Sequence, residues 1–324
     1  MDNRPIYITG PNRSGTSLMY ALLASHPNLS MVRRTDMWRY FYGRYGDLSN
    51  RDNFERCLIA MMEYKRIVRL KPDPERIRCE FWEGEPTYGR LFALIHAHHA
   101  EMVGKPRWGD KSLHTEHHLD QIFSEFPQAK IILCVRDPRD RFASERGKFK
   151  ASAGSATRKW MTSARAFKYG LEQYPEGCLL VSYETIARSP EETLHRVCSF
   201  INEEFSPTML TMKGAPRHIQ HGGNSSFESF EPGEISTHSI GRFRQVVSAR
   251  EIAFIQLMAG KDMAKFGYQK HPVRLSGFQR LGFYLMTIPV NFARMTRSLI
   301  MNTIKNANGR AIRSHRIVKE ATIQ

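Results

Sequence analysis

Cysteine is scarce and shows no pairing pattern: Cys57, Cys79, Cys134, Cys178 and Cys198 form no CxxC pair and are odd in number. That argues against a disulfide scaffold and predicts free thiols in a reducing compartment. Long hydrophobic runs are also missing. The longest late uncharged stretch, from Leu281 to Ala293, is too short to span a bilayer. The opening MDNRPIYITG enters a strand at once, without the charged region and apolar run of a signal peptide. These absences predict a cytoplasmic protein, soluble or peripheral to a membrane. Acidic charge is short as well, with 32 Asp and Glu against 48 Lys and Arg, a net of +16. Such a field favours anionic ligands but does not choose among nucleotides, acidic glycans, nucleic acid and lipid head groups. No internal repeat is visible. His114 and His118 share a helical spacing without HExxH or a cysteine partner, so no metal site is expected.

What is present suits one large α/β domain, since 324 residues that are 41% hydrophobic can bury a full core. Residues 6–9 predict a short strand, GPNRSG a tight loop, and residues 16–25 a helix. KIILCV (130–135) and CLLVSYE (178–184) are continuous apolar runs of the kind buried in a parallel sheet. Helices are predicted over 54–70, 88–102, 119–126, 141–148, 155–174, 190–202 and 249–265. PRWGDKS (106–112) reads as a loop, and residues 213–239, rich in Gly, Ser, His and Pro, as a long mobile loop. The alternation predicts a P-loop-like, three-layer α/β fold, a parallel sheet flanked by helices, over residues 1–270. A basic amphipathic extension follows over 271–324, with nine Lys and Arg against one acidic residue, Glu320.

In such a sheet, ligands sit at the carboxyl ends of strands. The first predicted ending, GPNRSGTS, has the glycine spacing of a phosphate loop, but Thr16 stands where a nucleotide hydrolase has lysine. Gly10, Gly15, Thr16 and Ser17 still offer backbone N–H groups and a helix N-terminus to an anion. The second ending, RDPRDRFAS, brings Arg136, Arg139, Arg141 and Ser144 to the start of another helix. Two anion sites on one sheet imply a ligand with two separated phosphate-like groups.

At this point the chain resembles the sulfotransferase superfamily that uses 3'-phosphoadenosine 5'-phosphosulfate (PAPS), through ordered motifs between about residues 5 and 270. GPNRSGTSLM resembles the 5'-phosphosulfate loop and RDPRDRFAS the 3'-phosphate site. WGDKS and EFPQAKIILCVRDP are similar to the family's middle segment, VSYETIARSPEETLHRVCSFI to the segment after the third predicted strand, and SIGRFR to a late element that closes over the nucleotide. The resemblance implies that Arg13, Ser14, Gly15, Thr16 and Ser17 hold the 5'-phosphosulfate and that Arg136 and Ser144 hold the 3'-phosphate. Tyr183, Gly241 and Arg242 would complete the pocket, and Lys111 would stand near the bridging oxygen or the sulfonate. Arg13 occupies a slot that is lysine in cytosolic members and arginine in tyrosylprotein and many bacterial members. Sulfuryl transfer builds charge on the bridging oxygen and the 5'-phosphate, which backbone donors and Arg13 can stabilise without a metal.

The acceptor hydroxyl must lose a proton, and Asp36 stands where many bacterial members have a glutamate base. Glu83, Glu85 and Asp110 are the other carboxylates considered. MWRYFYGRY (37–45) interleaves aromatic and basic side chains, which suits stacking on an acidic or sulfated glycan and equally a plain core helix. The expected reaction is metal-free, in-line transfer from PAPS to a hydroxyl of a carbohydrate or glycolipid. Protein-tyrosine or small-molecule sulfation, a P-loop kinase, and a non-enzymatic anion- or membrane-binding module remain as alternatives. Nucleic acid is not an expected partner, whereas residues 271–324 suit an anionic membrane surface.

Overall fold

A computed structural model describes residues 4–221, 223 and 234–307. Its centre is one sheet of five strands: β1 (Ile6–Thr9), β2 (Leu29–Arg33), β3 (Arg107–Lys111), β4 (Lys130–Val135) and β5 (Cys178–Ser182). All neighbours are parallel, in the order β2-β3-β1-β4-β5. Helices around the sheet include α1 (Thr16–Ala24), α2 (Tyr88–Met102), α3 (Leu119–Glu125), α4 (Pro138–Phe149), α5 (Ala153–Gln173), α6 (Pro190–Ile201), α7 (Ala249–Lys265) and α8 (Ile288–Ala307).

Successive strand residues point to opposite faces, so each strand serves two cores. Tyr7, Trp108, Ile131 and Leu133 pack with Leu91 and Ile95 of α2, Ile122 of α3 and Trp160 of α5. Ile6, Ile8, Met31, Ile132 and Val181 pack with Leu22 of α1 and Leu194 and Val197 of α6. The expected three layers are therefore present.

Two strands escape the sequence reading. The loop expected at 106–112 contains β3, whose RWGDK is polar yet buried throughout. Its charges are absorbed locally: Arg107 donates to the Arg4 carbonyl (3.0 Å) and to Glu203 (3.1 Å), and Asp110 accepts from Thr35 and Ser112 (2.6 Å each). Apolar periodicity does not register a strand whose polar groups find partners inside the protein. The helix expected over 54–70 is two, Arg51–Met62 and Lys65–Val68. β5 stops at Ser182 because that side chain caps the helix Tyr183–Arg188, accepting from the Thr185 N–H at 3.0 Å.

The aromatic stretch 37–45 is core. Trp38, Tyr40 and Phe41 are buried and Tyr42 and Tyr45 are packed against them, so the stretch offers no free stacking platform for a sugar ring. Within the loop expected at 213–239, Pro216–Gln220 is helical, and residues 222 and 224–233 lie outside the described residues. In the extension, the helix Gly277–Gly282 runs through a π turn (Phe283–Thr287) into α8, which packs along α5. Residues 308–324 lie outside the described residues. No helix among the described residues is long and apolar enough to cross a membrane.

Candidate active site at the strand ends

The strand order places the segments after β2, β3, β1, β4 and β5 side by side, and each carries residues that the sequence singles out. In that order they are Asp36, Lys111, the loop 10–15, Arg136 and Tyr183. The loop after β1 is shaped by its glycines. A Cβ on Gly10 would stand 2.4 Å from the Cys134 carbonyl oxygen, and Gly15 (φ 88°) would press one on the Tyr183 ring at 3.0 Å. Arg13 itself takes a left-handed φ of 70°, a strained conformation of the kind concentrated at functional sites. Among the described residues no side chain caps α1, so its first N–H groups are left for an anion. The buried Ser14 hydroxyl has no hydrogen-bond partner among the described residues.

Across β4, α4 brings a second set to the same place. Arg13 Nε donates to Ser144 Oγ at 2.7 Å, and Arg136 Nη1 donates to the Arg13 carbonyl at 3.3 Å. The Arg136 guanidinium lies 4.2 Å above the Tyr183 ring and donates to the Ser239 carbonyl (2.7 Å), while its buried Nε has no partner among the described residues. The other two arginines of RDPRDRFAS are committed to the protein. Arg139 is held by Asp137 and Gln256, and Arg141 by the Asn12 and Ala156 carbonyls and Glu145. The anion-binding expectation for that motif narrows to Arg136 and Ser144. Gly241 is fixed by its N–H, which donates to Asp140 at 2.6 Å, and the Phe243 N–H donates to the same carboxylate at 2.8 Å. Arg242 follows Gly241 at the start of a short helix, so Asp140 docks SIGRFR on α4.

On the other side of β1, Lys111 is buried. Burial, helped by repulsion from Arg34, pushes its pKa down to about 8. Asp36 sits next to it with a left-handed φ of 52° and forms an ion pair with Arg66. Burial raises the Asp36 carboxyl above its ordinary range, and Arg66 pulls it part of the way back. Ser112 ties the two strand ends together, accepting from the Asp36 N–H (3.0 Å) and donating to Asp110 (2.6 Å). Asp110 is thereby a buried anchor, whereas Glu83 and Glu85 are exposed between Phe81 and Thr87.

Sequence reasoning missed Arg66, which lies 30 residues from its partner, and Glu116. The buried Glu116 carboxylate accepts from Thr9 at the end of β1 and from Ser163 of α5 at 2.7 Å, pinning the base of the loop. His114 and His118 do not share a helical face, because only a 3-10 turn, Thr115–His117, lies between them. Instead His114, Glu116 and His117 hold ligand-type atoms within 4.8 Å of one another.

Comparison with known proteins agrees with this architecture. Residues 5–207 match the family model described as the sulfotransferase family. A putative protein-tyrosine sulfotransferase of Caenorhabditis briggsae is 24% identical over 216 residues, covering 63% of this chain and 68% of the relative. Protein-tyrosine sulfotransferase 2 of Gallus gallus is 26% identical over 221 residues, which is 53% of its own length. Among solved structures, the sulfotransferase domain of the Synechococcus PCC 7002 olefin synthase superposes with a TM-score of 0.56 at 21% identity. It covers 83% of this chain and 97% of that domain and shows a shared fold. The chain belongs to the sulfotransferase family and is a PAPS-dependent enzyme.

Proposed function

We propose that the enzyme transfers the sulfuryl group of PAPS to the phenolic hydroxyl of a tyrosine in an acidic protein segment. The observation that carries the acceptor half is the charge around Asp36. Arg34, Arg39, Arg66 and Lys111 all act electrostatically on or beside that carboxylate, with Asp110 the one other acidic group in its immediate field. A strand end so rich in cations favours an anionic acceptor. The names of the C. briggsae and chicken relatives support a tyrosine over a sugar hydroxyl. The burial of Trp38 and Phe41 removes the stacking argument for a glycan.

The donor half is supported by orphaned groups in the right places. Among the described residues, Ser14 Oγ and Arg136 Nε are buried without partners and no side chain caps α1, as residues that take phosphate oxygens would be. PAPS supplies the activated sulfuryl group. Ser14, Gly15, Thr16 and Ser17 with Arg13 would hold its 5' end, and Arg136 and Ser144 its 3'-phosphate, with Tyr183, Gly241 and Arg242 closing the pocket. Lys111 would stabilise charge on the leaving side. Asp36 would take the phenolic proton, helped by a pKa raised towards that of a working base.

Labelled PAPS offered with three acceptors tests this reading. They are a tyrosine peptide flanked by glutamates, the same peptide with neutral flanks, and an acidic polysaccharide. Label should enter the first fastest and should vanish when its tyrosine is replaced by phenylalanine. Faster labelling of the polysaccharide would refute the acceptor assignment.

A further inference from the structure

Residues 277–307 form a helical rod whose π turn packs on α7 and whose last part, α8, packs along the outside of α5. Its inner side is fixed by Asn291, whose side-chain oxygen accepts from the Gly154 N–H at 2.9 Å, and by Ser298, which accepts from Arg158 at 3.0 Å. The outer side is apolar. Phe278, Leu281, Leu285, Phe292, Leu299 and Ile300 are each between 53% and 86% exposed. Phe278 and Leu281, three apart on the first helix, and Phe292 and Leu299, seven apart on α8, each share a helical face, with Leu285 on the π turn between them. Soluble surfaces rarely leave so continuous an apolar face uncovered.

The charge beside this stripe is of one sign. No acidic residue occurs between Asp262 and Glu320. Lys150, Lys159, Arg294 and Arg297 line a cavity of about 520 Å³ at the junction of α8 with α4 and α5. Its one acidic group, Glu145, already receives Arg141 (2.6 Å) and Lys159 (3.0 Å), so Lys150, Arg294 and Arg297 have no acidic partner among the described residues. A second copy would bring like charge against like charge, which opposes self-association through this face.

We infer that this rod is a membrane-docking element that lies in the plane of an anionic lipid surface. The stripe from Phe278 to Ile300 enters the acyl boundary, and the cavity edged by Lys150, Arg294 and Arg297 receives a lipid phosphate. Apolar insertion and attraction to head groups act together in such helices. None of the residues proposed to hold PAPS or to act on the acceptor lies on the rod.

Co-sedimentation of the full chain with phosphatidylserine–phosphatidylcholine vesicles and with pure phosphatidylcholine vesicles tests the inference. Binding should be confined to the anionic vesicles and should weaken as salt rises. The pair Arg294→Gln with Arg297→Gln should lower the partition coefficient by about thirtyfold. The pair Phe292→Ser with Leu299→Ser should also release the protein, with affinity for 3',5'-adenosine bisphosphate, which PAPS leaves when it gives up its sulfuryl group, unchanged as proof of folding. If either pair loses that affinity, Phe278→Ser with Leu281→Ser on the free first turn replaces it. The inference fails if the full chain ignores anionic vesicles or if the variants bind them as the unaltered chain does. It also fails if the apolar substitutions only dissociate a dimer or an acidic protein partner.

Discussion

Arg13 Nε and Ser144 Oγ stand 2.7 Å apart although 131 residues separate them in the chain. The contact joins the loop after β1 to the first turns of α4, the two segments proposed to hold opposite ends of one nucleotide. A serine placed there for a 3'-phosphate should matter only to ligands that carry one. Ser144→Ala should weaken 3',5'-adenosine bisphosphate by about ten- to hundredfold, the worth of a hydrogen bond to a charged group, and leave adenosine 5'-phosphosulfate unaffected. Calorimetric titration of both ligands checks it, and equal loss for the two would remove Ser144 from the 3' site.

Arg13 should behave differently, because a group that meets developing charge contributes more to the transition state than to the ground state. Arg13→Ala should lower kcat by about a hundredfold or more while changing bisphosphate affinity far less. Parallel losses in both would make Arg13 a simple binding residue.

Lys111 gives the pH dependence a sign. Its pKa of about 8 reflects burial of the ammonium and repulsion from Arg34, which outweigh the pull of Asp110 and Asp36, and an anion bound beside it favours the protonated form. Bisphosphate affinity should be full below about pH 8 and fall as pH rises through that value. Lys111→Arg keeps the charge at all accessible pH and should flatten this limb. An unchanged limb in that variant would assign it to another group.

How much of this site could be read from the sequence depended on how each part is built. The loop after β1, the motif after β4 and the strands β1, β4 and β5 are written in local signals: glycine spacing, clustered arginines and apolar runs. β2 and β3 are not, since Arg107, Asp110 and Lys111 make β3 look like a loop until their buried partners are known. Even so, Asp36 and Lys111 were legible through motif resemblance alone, and the sheet order then puts both at neighbouring strand ends. Arg66 was illegible because its role is a tertiary contact with no sequence spacing of its own. The aromatic run 37–45 left a glycan surface and a core helix equally open because the two share one composition, and burial decides for the core.

That missed partner controls the proposed base. Asp36 must be ionised to accept a proton, and burial raises its pKa while Arg66 lowers it. The rate kcat/KM should therefore fall as pH drops through the Asp36 pKa. Arg66→Gln removes the opposing charge, so the acidic limb should move to higher pH. Asp36→Asn should lower kcat by about a hundred- to ten-thousandfold with bisphosphate affinity kept. An acidic limb that stays in place when Arg66 is replaced would show that a different carboxylate titrates.

Gly10 tests whether the loop's position is dictated by contact with β4. Its φ of 146° and the 2.4 Å that would separate a Cβ from the Cys134 carbonyl oxygen leave no room for a side chain, and the obstacle is backbone that cannot swing aside. Gly10→Ala should cost about 2 kcal/mol or more in unfolding free energy, because the end of β1 must shift against its neighbour. That same shift moves the N–H groups of residues 14–17 relative to Arg136 and Ser144, so bisphosphate affinity should fall with stability. Gly43→Ala is the matched control: φ is 69°, nothing lies within 4 Å, and only the backbone penalty of about 1 kcal/mol applies. Denaturant midpoints together with bisphosphate titrations separate the two cases. If Gly10→Ala proved as mild as Gly43→Ala and bound the ligand normally, the close approach of loop and strand would not be what sets the anion site.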